Sequence, residues 1–165
     1  PVEIMGYESF AAEAAEAGVD GLLTVDMPPE EAEELTAALR ARDLDPIFLL
    51  APTTEKPRIE RICQLATGFV YYVSLKGITG AGHLNTDEVA TKLDVIRATT
   101  DLPVGVGFGI KDGETAARVA AVADAVIVGS AVVNRMAELE NNAEKIPQTL
   151  SNFMGELRAA MDKRS

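Results

Sequence analysis

Three glycine-rich segments, each following an apolar run, carry the residue types in this chain best suited to chemistry. Gly77-Ile78-Thr79-Gly80-Ala81-Gly82 follows Phe69–Ser74, Phe108-Gly109-Ile110 follows Val104–Gly107, and Gly129-Ser130-Ala131 follows Ala125–Val128. Glycine lets a backbone N–H approach an anion with no Cβ in the way. A short helix starting at Ser130 would aim its free N–H groups, and the positive end of its dipole, at the same anion. The Ser130 hydroxyl adds one more donor. One such loop is ordinary punctuation at a strand end, whereas three in succession, the last opening a short helix, point to phosphate. No Lys completes a G-x-x-x-x-G-K-[ST] loop, and Gly105–Gly109 does not fit G-x-G-x-x-G, so nucleotide and dinucleotide loops are unsupported.

Composition removes other classes. The 165 residues hold 15 Lys and Arg against 26 Asp and Glu, a net charge of −11. Nucleic acid and anionic membrane both need a basic face, so neither is expected as a partner. A single His and a single Cys make no zinc-type cluster. Cys63 lies on a helix with an apolar side and reads as a buried, inert thiol of a reducing cytoplasm. No run approaches the roughly 18 apolar residues of a membrane span. The opening residues, PVEIMGYESF, carry no secretory signal pattern.

The elements that must position the loops alternate along the chain. Strands are expected at Pro1–Tyr7, Val19–Val25, Pro46–Leu50, Phe69–Ser74, Val104–Gly107 and Ala125–Val128. Helices are expected at Glu8–Ala17, from Pro28-Pro29 to Arg42, at Glu55–Ala66, from Asn85 or Thr86 to Thr99, and from Asp112 to Val122. A short helix should begin at Ser130, and a last amphipathic one should run from Ala143 or Pro147 to Lys163. The strands read as continuous apolar runs without alternation, as a parallel sheet covered by helices requires. Six strand-then-helix units without a hairpin signal indicate α/β, either an open doubly wound sheet or a closed (βα)8 barrel. The loops favour the barrel, where the last two βα loops and a short helix commonly hold a phosphate.

Six runs in order, Ala17–Leu23 (AGVDGLL), Asp26–Glu30 (DMPPE), Tyr71–Ser74 (YYVS), Gly77–Gly80 (GITG), Gly107–Ile110 (GFGI) and Gly129–Ala131 (GSA), resemble the tryptophan synthase α subunit. That family is a (βα)8 barrel and a lyase of tryptophan biosynthesis that cleaves indole-3-glycerol phosphate to indole and glyceraldehyde 3-phosphate. It works in the cytoplasm in an αββα complex, and the pyridoxal phosphate belongs to the β subunit, so the resemblance implies no cofactor here. Carried over by position, Gly80, Gly109, Gly129 and Ser130 would hold the substrate phosphate. Tyr71 and Phe108 would face the indole, with Met5, Tyr7, Leu23 and Leu49 around the barrel mouth. Ser74 to Gly82, including Gly77, Thr79 and Gly80, would form a lid fastened by Thr79. Asp26 and Pro28 would meet the β subunit, although Asp26 also reads as a helix cap. His83 falls in the variable part of the lid and has no partner for catalysis.

Two departures from the family pattern shape the expectation. Its two catalytic carboxylates, a Glu and an Asp, lie before the point matched by Pro1, so no catalytic residue is assigned in this chain. The family also runs from its MGY motif into a loop of roughly nine more residues, where Tyr7 here meets Glu8 directly. A typical barrel needs about 250 residues, so 1–165 is read as a single barrel domain incomplete at its N-terminus, from a longer protein, and inactive alone. A non-catalytic barrel portion that binds phosphate and a partner is the alternative. Another phosphate-handling barrel, of the histidine-pathway or thiamine-phosphate kind, would share the Gly-Ser loop but not account for Phe108 with Gly77–Gly80.

Overall fold

A computed structural model describes residues 1–74, 86–107 and 109–163. The chain divides into two compact units, Pro1–Tyr71 with Val95–Pro103 and Tyr72–Asp94 with Val104–Ser165.

The first unit holds α1 (Val2–Met5), α2 (Tyr7–Glu16), β1 (Gly21–Leu23), α3 (Glu33–Arg40), β2 (Asp45–Leu50), α4 (Lys56–Leu65) and the start of β3 (Val70–Val73), with strand order β1-β2-β3. β1 and β2 are parallel, with Gly21 opposite Asp45 and Leu23 opposite Ile47. Ala11 and Ala14 of α2 pack with Leu35 and Leu39 of α3 and with Leu44 to form a core. Asp45 organises the start of the strands. Its N–H donates to the Asp20 carbonyl at 2.9 Å, and its carboxylate accepts the Thr67 hydroxyl at 2.6 Å. Gly68 passes beside it at φ +67°, where a Cβ would lie 2.7 Å from Asp45 Oδ2. Arg40 of α3 closes the end of α4 by donating to the Leu65 carbonyl at 2.9 Å.

Two expectations fail in this unit. Pro1–Tyr7 is helical, because its backbone closes its own bonds: Met5 N–H donates to the Pro1 carbonyl and Gly6 N–H to that of Val2, both at 3.0 Å. An apolar composition makes a strand only where a neighbouring strand takes up the backbone groups. Gly6, at φ +85°, then redirects the chain into α2. The second failure is the start of α3. Pro29 disfavours helical geometry at Pro28, so the chain first turns, with Glu31 N–H on the Pro28 carbonyl at 3.0 Å, and the helix begins at Glu33.

The second unit holds the end of β3, then α5 (Thr86–Arg97, whose last residues fall in the first unit), β4 (Val104–Gly107), α6 (Gly113–Ala120), β5 (Ala125–Ile127), α7 (Ser130–Ala137), a 3-10 turn at Ala143–Lys145 and α8 (Ile146–Asp162), with strand order β3-β4-β5. β4 is buried throughout, and Val104, Val106, Ala116, Val119, Phe153 and Leu157 make up much of the core. Gly113 lets α6 approach α8 closely, since a Cβ there would sit 2.9 Å from that of Ala160. Burial alternates along β2 and β3, contrary to the expectation of unpatterned strands. Both faces carry apolar side chains, so sequence shows no period, yet only one face is fully closed: Pro46, Phe48 and Leu50 are buried while Ile47 and Leu49 are half-exposed.

The register of β4 against β5 is pinned at its start. Asp124 N–H donates to the Val104 carbonyl at 3.1 Å, and the Asp124 carboxylate accepts the Val104 N–H at 2.9 Å. Val104 is fully buried, so its N–H loses this acceptor when the carboxylate is removed. Asp124→Ala should lower unfolding stability by about 1–3 kcal/mol, read as a lower urea midpoint; an unchanged midpoint would show that the pin is dispensable.

Candidate anion-binding site

The second unit brings three strand ends level. Ser74 N–H, just past β3, donates to the Gly107 carbonyl at 3.2 Å, and Gly107 stands opposite Ile127 in the parallel pair of β4 and β5. Neighbouring strands lie about 4.8 Å apart, and Gly109 and Gly129 each follow two residues beyond that matched pair. The two glycine loops therefore leave the sheet side by side.

Each loop is held at its far end. Gly109 is exposed at φ +68°, a left-handed conformation that a side chain would strain, and among the described residues beyond its chain neighbours no atom lies within 4 Å of where its Cβ would be. Ile110 then inserts into the core, and Asp112 caps α6 by accepting Thr115 N–H at 2.8 Å and the Thr115 hydroxyl at 2.7 Å. Those bonds favour the ionised carboxyl and hold it below the usual carboxylate range.

Gly129 is the N-cap of α7 and has no side chain with which to satisfy the helix end. Its carbonyl takes the N–H of Val132 at 2.9 Å and of Val133 at 3.2 Å. By helix geometry the N–H groups of Ser130 and Ala131 project from the N-terminus without an intrahelical acceptor. The Ser130 side chain is exposed beside them, and the first turn carries no acidic residue. Among the described residues beyond its chain neighbours, no atom lies within 4 Å of where a Cβ on Gly129 would be. Backbone donors, a helix dipole and one hydroxyl suit a tetrahedral oxyanion, and nothing in this set is an acid or base.

Gly109, Gly129, Ser130 and Ser74 thus gather in one unit, with Ser74 buried. Gly77, Thr79, Gly80, His83 and Phe108 lie outside the described residues. Of the residues read as the indole surround, Met5, Tyr7, Leu23, Leu49 and Tyr71 belong to the first unit. Leu23 pairs with Ile47, and Leu49 lies two residues on, so Leu23 and Leu49 share a face at the ends of β1 and β2. Tyr71 is half-buried in β3. Met5 and Tyr7 stand on helices rather than on a strand. Tyr7 packs against the core of α2 and α3 and borders a cleft of about 830 Å³ with Ala37, Ala41 and Arg42.

Asp26 is exposed and Pro28 half-buried in the turn before α3, but Asp26 is not the cap of that helix: Ala32 holds the position and no side chain bonds the end. Cys63 is half-buried rather than buried, and burial pushes its thiol pKa up, as an inert thiol requires. Among the described residues no group of three or more His, Cys, Asp or Glu could hold a metal ion, and no helix is long and apolar enough to cross a membrane. Sequence reasoning missed Asp124, Arg135 and Phe153, whose contacts join residues far apart in the chain.

Solved structures define the class. The chain superposes on subunit alpha of tryptophan synthase from Legionella pneumophila with a TM-score of 0.88 and 39% identity, over 99% of this chain and 60% of that one. On the tryptophan synthase a2b2 complex of Pyrococcus furiosus the TM-score is 0.84 at 34% identity, over 96% of this chain and 63% of that one. The fold is thus part of a (βα)8 barrel, the closed alternative rather than the open sheet. The profile of the family described as tryptophan synthase alpha chain matches residues 1–162. The tryptophan synthase alpha chain of Thioalkalivibrio sulfidiphilus is 64% identical over 98% of this chain and 61% of its own length. That of Alkalilimnicola ehrlichii is 60% identical over 98% of this chain and 59% of its own length. This chain belongs to the tryptophan synthase alpha chain family, and it spans about 60% of the length of the curated relatives it matches.

The Asp112 cap has a pH signature. Its pKa is lower folded than unfolded, so its contribution is complete above the unfolded value and is lost as pH falls through the folded one. Asp112→Ala should cost about 1 kcal/mol at neutral pH, and the gap from the parent should close in acid. Urea denaturation of both proteins at the two pH values checks this, and a gap that persists in acid would contradict it.

Proposed function

We propose that this chain supplies the phosphate-binding strand ends of a lyase that cleaves indole-3-glycerol phosphate to indole and glyceraldehyde 3-phosphate. It does so as part of the α subunit of tryptophan synthase, with a β subunit as partner in an αββα complex in the cytoplasm. One observation carries the reading: the open turn Gly129-Ser130-Ala131, free of acidic residues, starts level with Gly109 in a chain of this family. Gly109 and Gly129 admit the phosphate oxygens to backbone N–H groups, and Ser130 donates its hydroxyl. Gly80 completes the phosphate contacts, and Phe108 and Tyr71 flank the indole with Leu23, Leu49, Met5 and Tyr7.

The division of labour follows from the chemistry of these groups. Fixed dipoles bind a dianion without changing protonation, so they anchor the glycerol phosphate end and leave proton transfer to carboxylates. Those carboxylates are read as lying outside this chain, which itself binds and orients without a cofactor. Ser74 to Gly82 with Thr79 forms the lid, and Asp26 and Pro28 meet the β subunit.

Gly129→Asp is the direct test. The site of the added Cβ is open, so the fold should survive by circular dichroism. The new carboxylate would repel the dianion at contact distance, and affinity for inorganic phosphate should fall by more than about tenfold, or 1.4 kcal/mol. Unchanged affinity would remove the assignment.

A further inference from the structure

Arg135, in the second turn of α7, serves a purpose that neither the motifs nor the resemblance assigns. Its guanidinium carbon lies 3.5 Å from the ring centroid of Phe153 on α8, and its Nη1 donates to the Ala131 carbonyl at 2.9 Å. Phe153 is buried at 4% exposure, so the ring is a fixed platform. Among the described residues no carboxylate pairs with Arg135. Its charge is spent on a ring face and on one carbonyl of the first turn, a geometry that suits a planar guanidinium better than an ammonium.

That carbonyl is the informative partner. The peptide unit is planar and trans, so the Ala131 carbonyl and the Val132 N–H point in opposite directions and move together. Val132 N–H in turn donates to the Gly129 carbonyl at 2.9 Å. The Gly129 carbonyl shares its own peptide plane with the Ser130 N–H, one of the donors at the open end of α7. The chain of contacts therefore runs from the Phe153 ring through Arg135 to the Ala131–Val132 peptide, then to the Gly129–Ser130 peptide and the anion. A cation at its inner end also polarises each bond in the direction that strengthens the outer donor.

We propose that Arg135, braced on Phe153, is the positioning residue of the anion-binding turn, orienting the Ser130 N–H through two successive peptide planes. Arg135 does not touch the anion. The proposal rests on the reading of Gly129-Ser130 as a phosphate site, and its test separates the two. Gly129 carries φ −114° and ψ −86° with no Cβ to restrict it, so the first peptide of the turn needs an external restraint, and Arg135 supplies it.

The experiment is a double-mutant cycle on the full chain, with inorganic phosphate as the probe in calorimetric titration and the Val132 amide, which is bonded to the Gly129 carbonyl, followed by hydrogen exchange. Arg135→Met should weaken phosphate binding by about three- to tenfold and speed exchange at the Val132 amide, with the far-UV spectrum retained. Phe153→Leu should weaken it in the same direction, and the double variant should be no weaker than Arg135→Met, because the two side chains act as one unit. Arg135→Lys retains the charge and the stem but loses the fork, and should not restore full affinity. It also decides the matter should the Met variant fail to fold.

Phosphate bound as tightly by either Arg135 variant as by the parent would overturn the positioning role while leaving the site intact. Additive losses at Arg135 and Phe153 would overturn it too. Failure of the parent chain to bind phosphate would overturn the site reading and the positioning role with it.

Discussion

The parallel register of β4 and β5 is the constraint on which the candidate site depends. With Gly107 opposite Ile127, the loops that follow leave the sheet at one level, and Gly109 and Gly129 become neighbours. A slip of one residue would turn every side chain of β5 to the other face and separate the two glycines. The register is set at the opposite end of the strands, where Asp124 both accepts from and donates to the backbone of the buried Val104. A carboxylate with no chemical task thus decides where the backbone donors stand.

Downstream of the register, the site is made almost wholly of main chain. Main-chain donors are placed by whatever fixes their peptide planes; Asp112 caps the helix that follows Gly109, and Arg135 on Phe153 bonds the Ala131 carbonyl in the turn after Gly129. Rigid donors suit a ligand whose charge does not change during binding. The glycines could be left flexible in type because their neighbours are not, which reconciles open space at each Cβ position with a defined geometry. In a chain with a net charge of −11, the first turn of α7 carries no carboxylate, which an anion at that turn would require.

Much of this was legible in residue order. β4 falls where its apolar run ends in Gly107, Asp112 caps the helix that follows, and α7 opens at Ser130, because strand composition, an N-cap residue and a Gly-Ser break are local signals. The glycine breaks at Gly109 and Gly129 were visible for the same reason. What was not legible depends on contacts between distant residues or on competition for backbone bonds. Pro1–Tyr7 has the composition of a strand but bonds to itself. Pro28-Pro29 looks like a helix start, yet the second proline excludes the first from the helix, and α3 waits until Glu33. Asp124 on Val104 and Arg135 on Phe153 leave no periodic trace. Membership in the tryptophan synthase alpha chain family agrees with the motif order, while the expected indole contacts of Tyr71, Leu23 and Leu49 follow from no local pattern: Tyr71 and Leu49 are half-buried strand residues that would serve a core equally well, and Leu23 is exposed.

The ends of β4 and β5 are proposed to form one anion site built from backbone donors. Amide chemical-shift mapping of the labelled chain during addition of inorganic phosphate tests it most directly, because it reads each N–H separately. Saturable shifts should concentrate at Gly109, Gly129, Ser130 and Ala131, with the amides of the α2–α3 cleft around Tyr7 and Ala37 unmoved. Shifts confined to that cleft, or none at Gly129 and Ser130 at saturating phosphate, would contradict it.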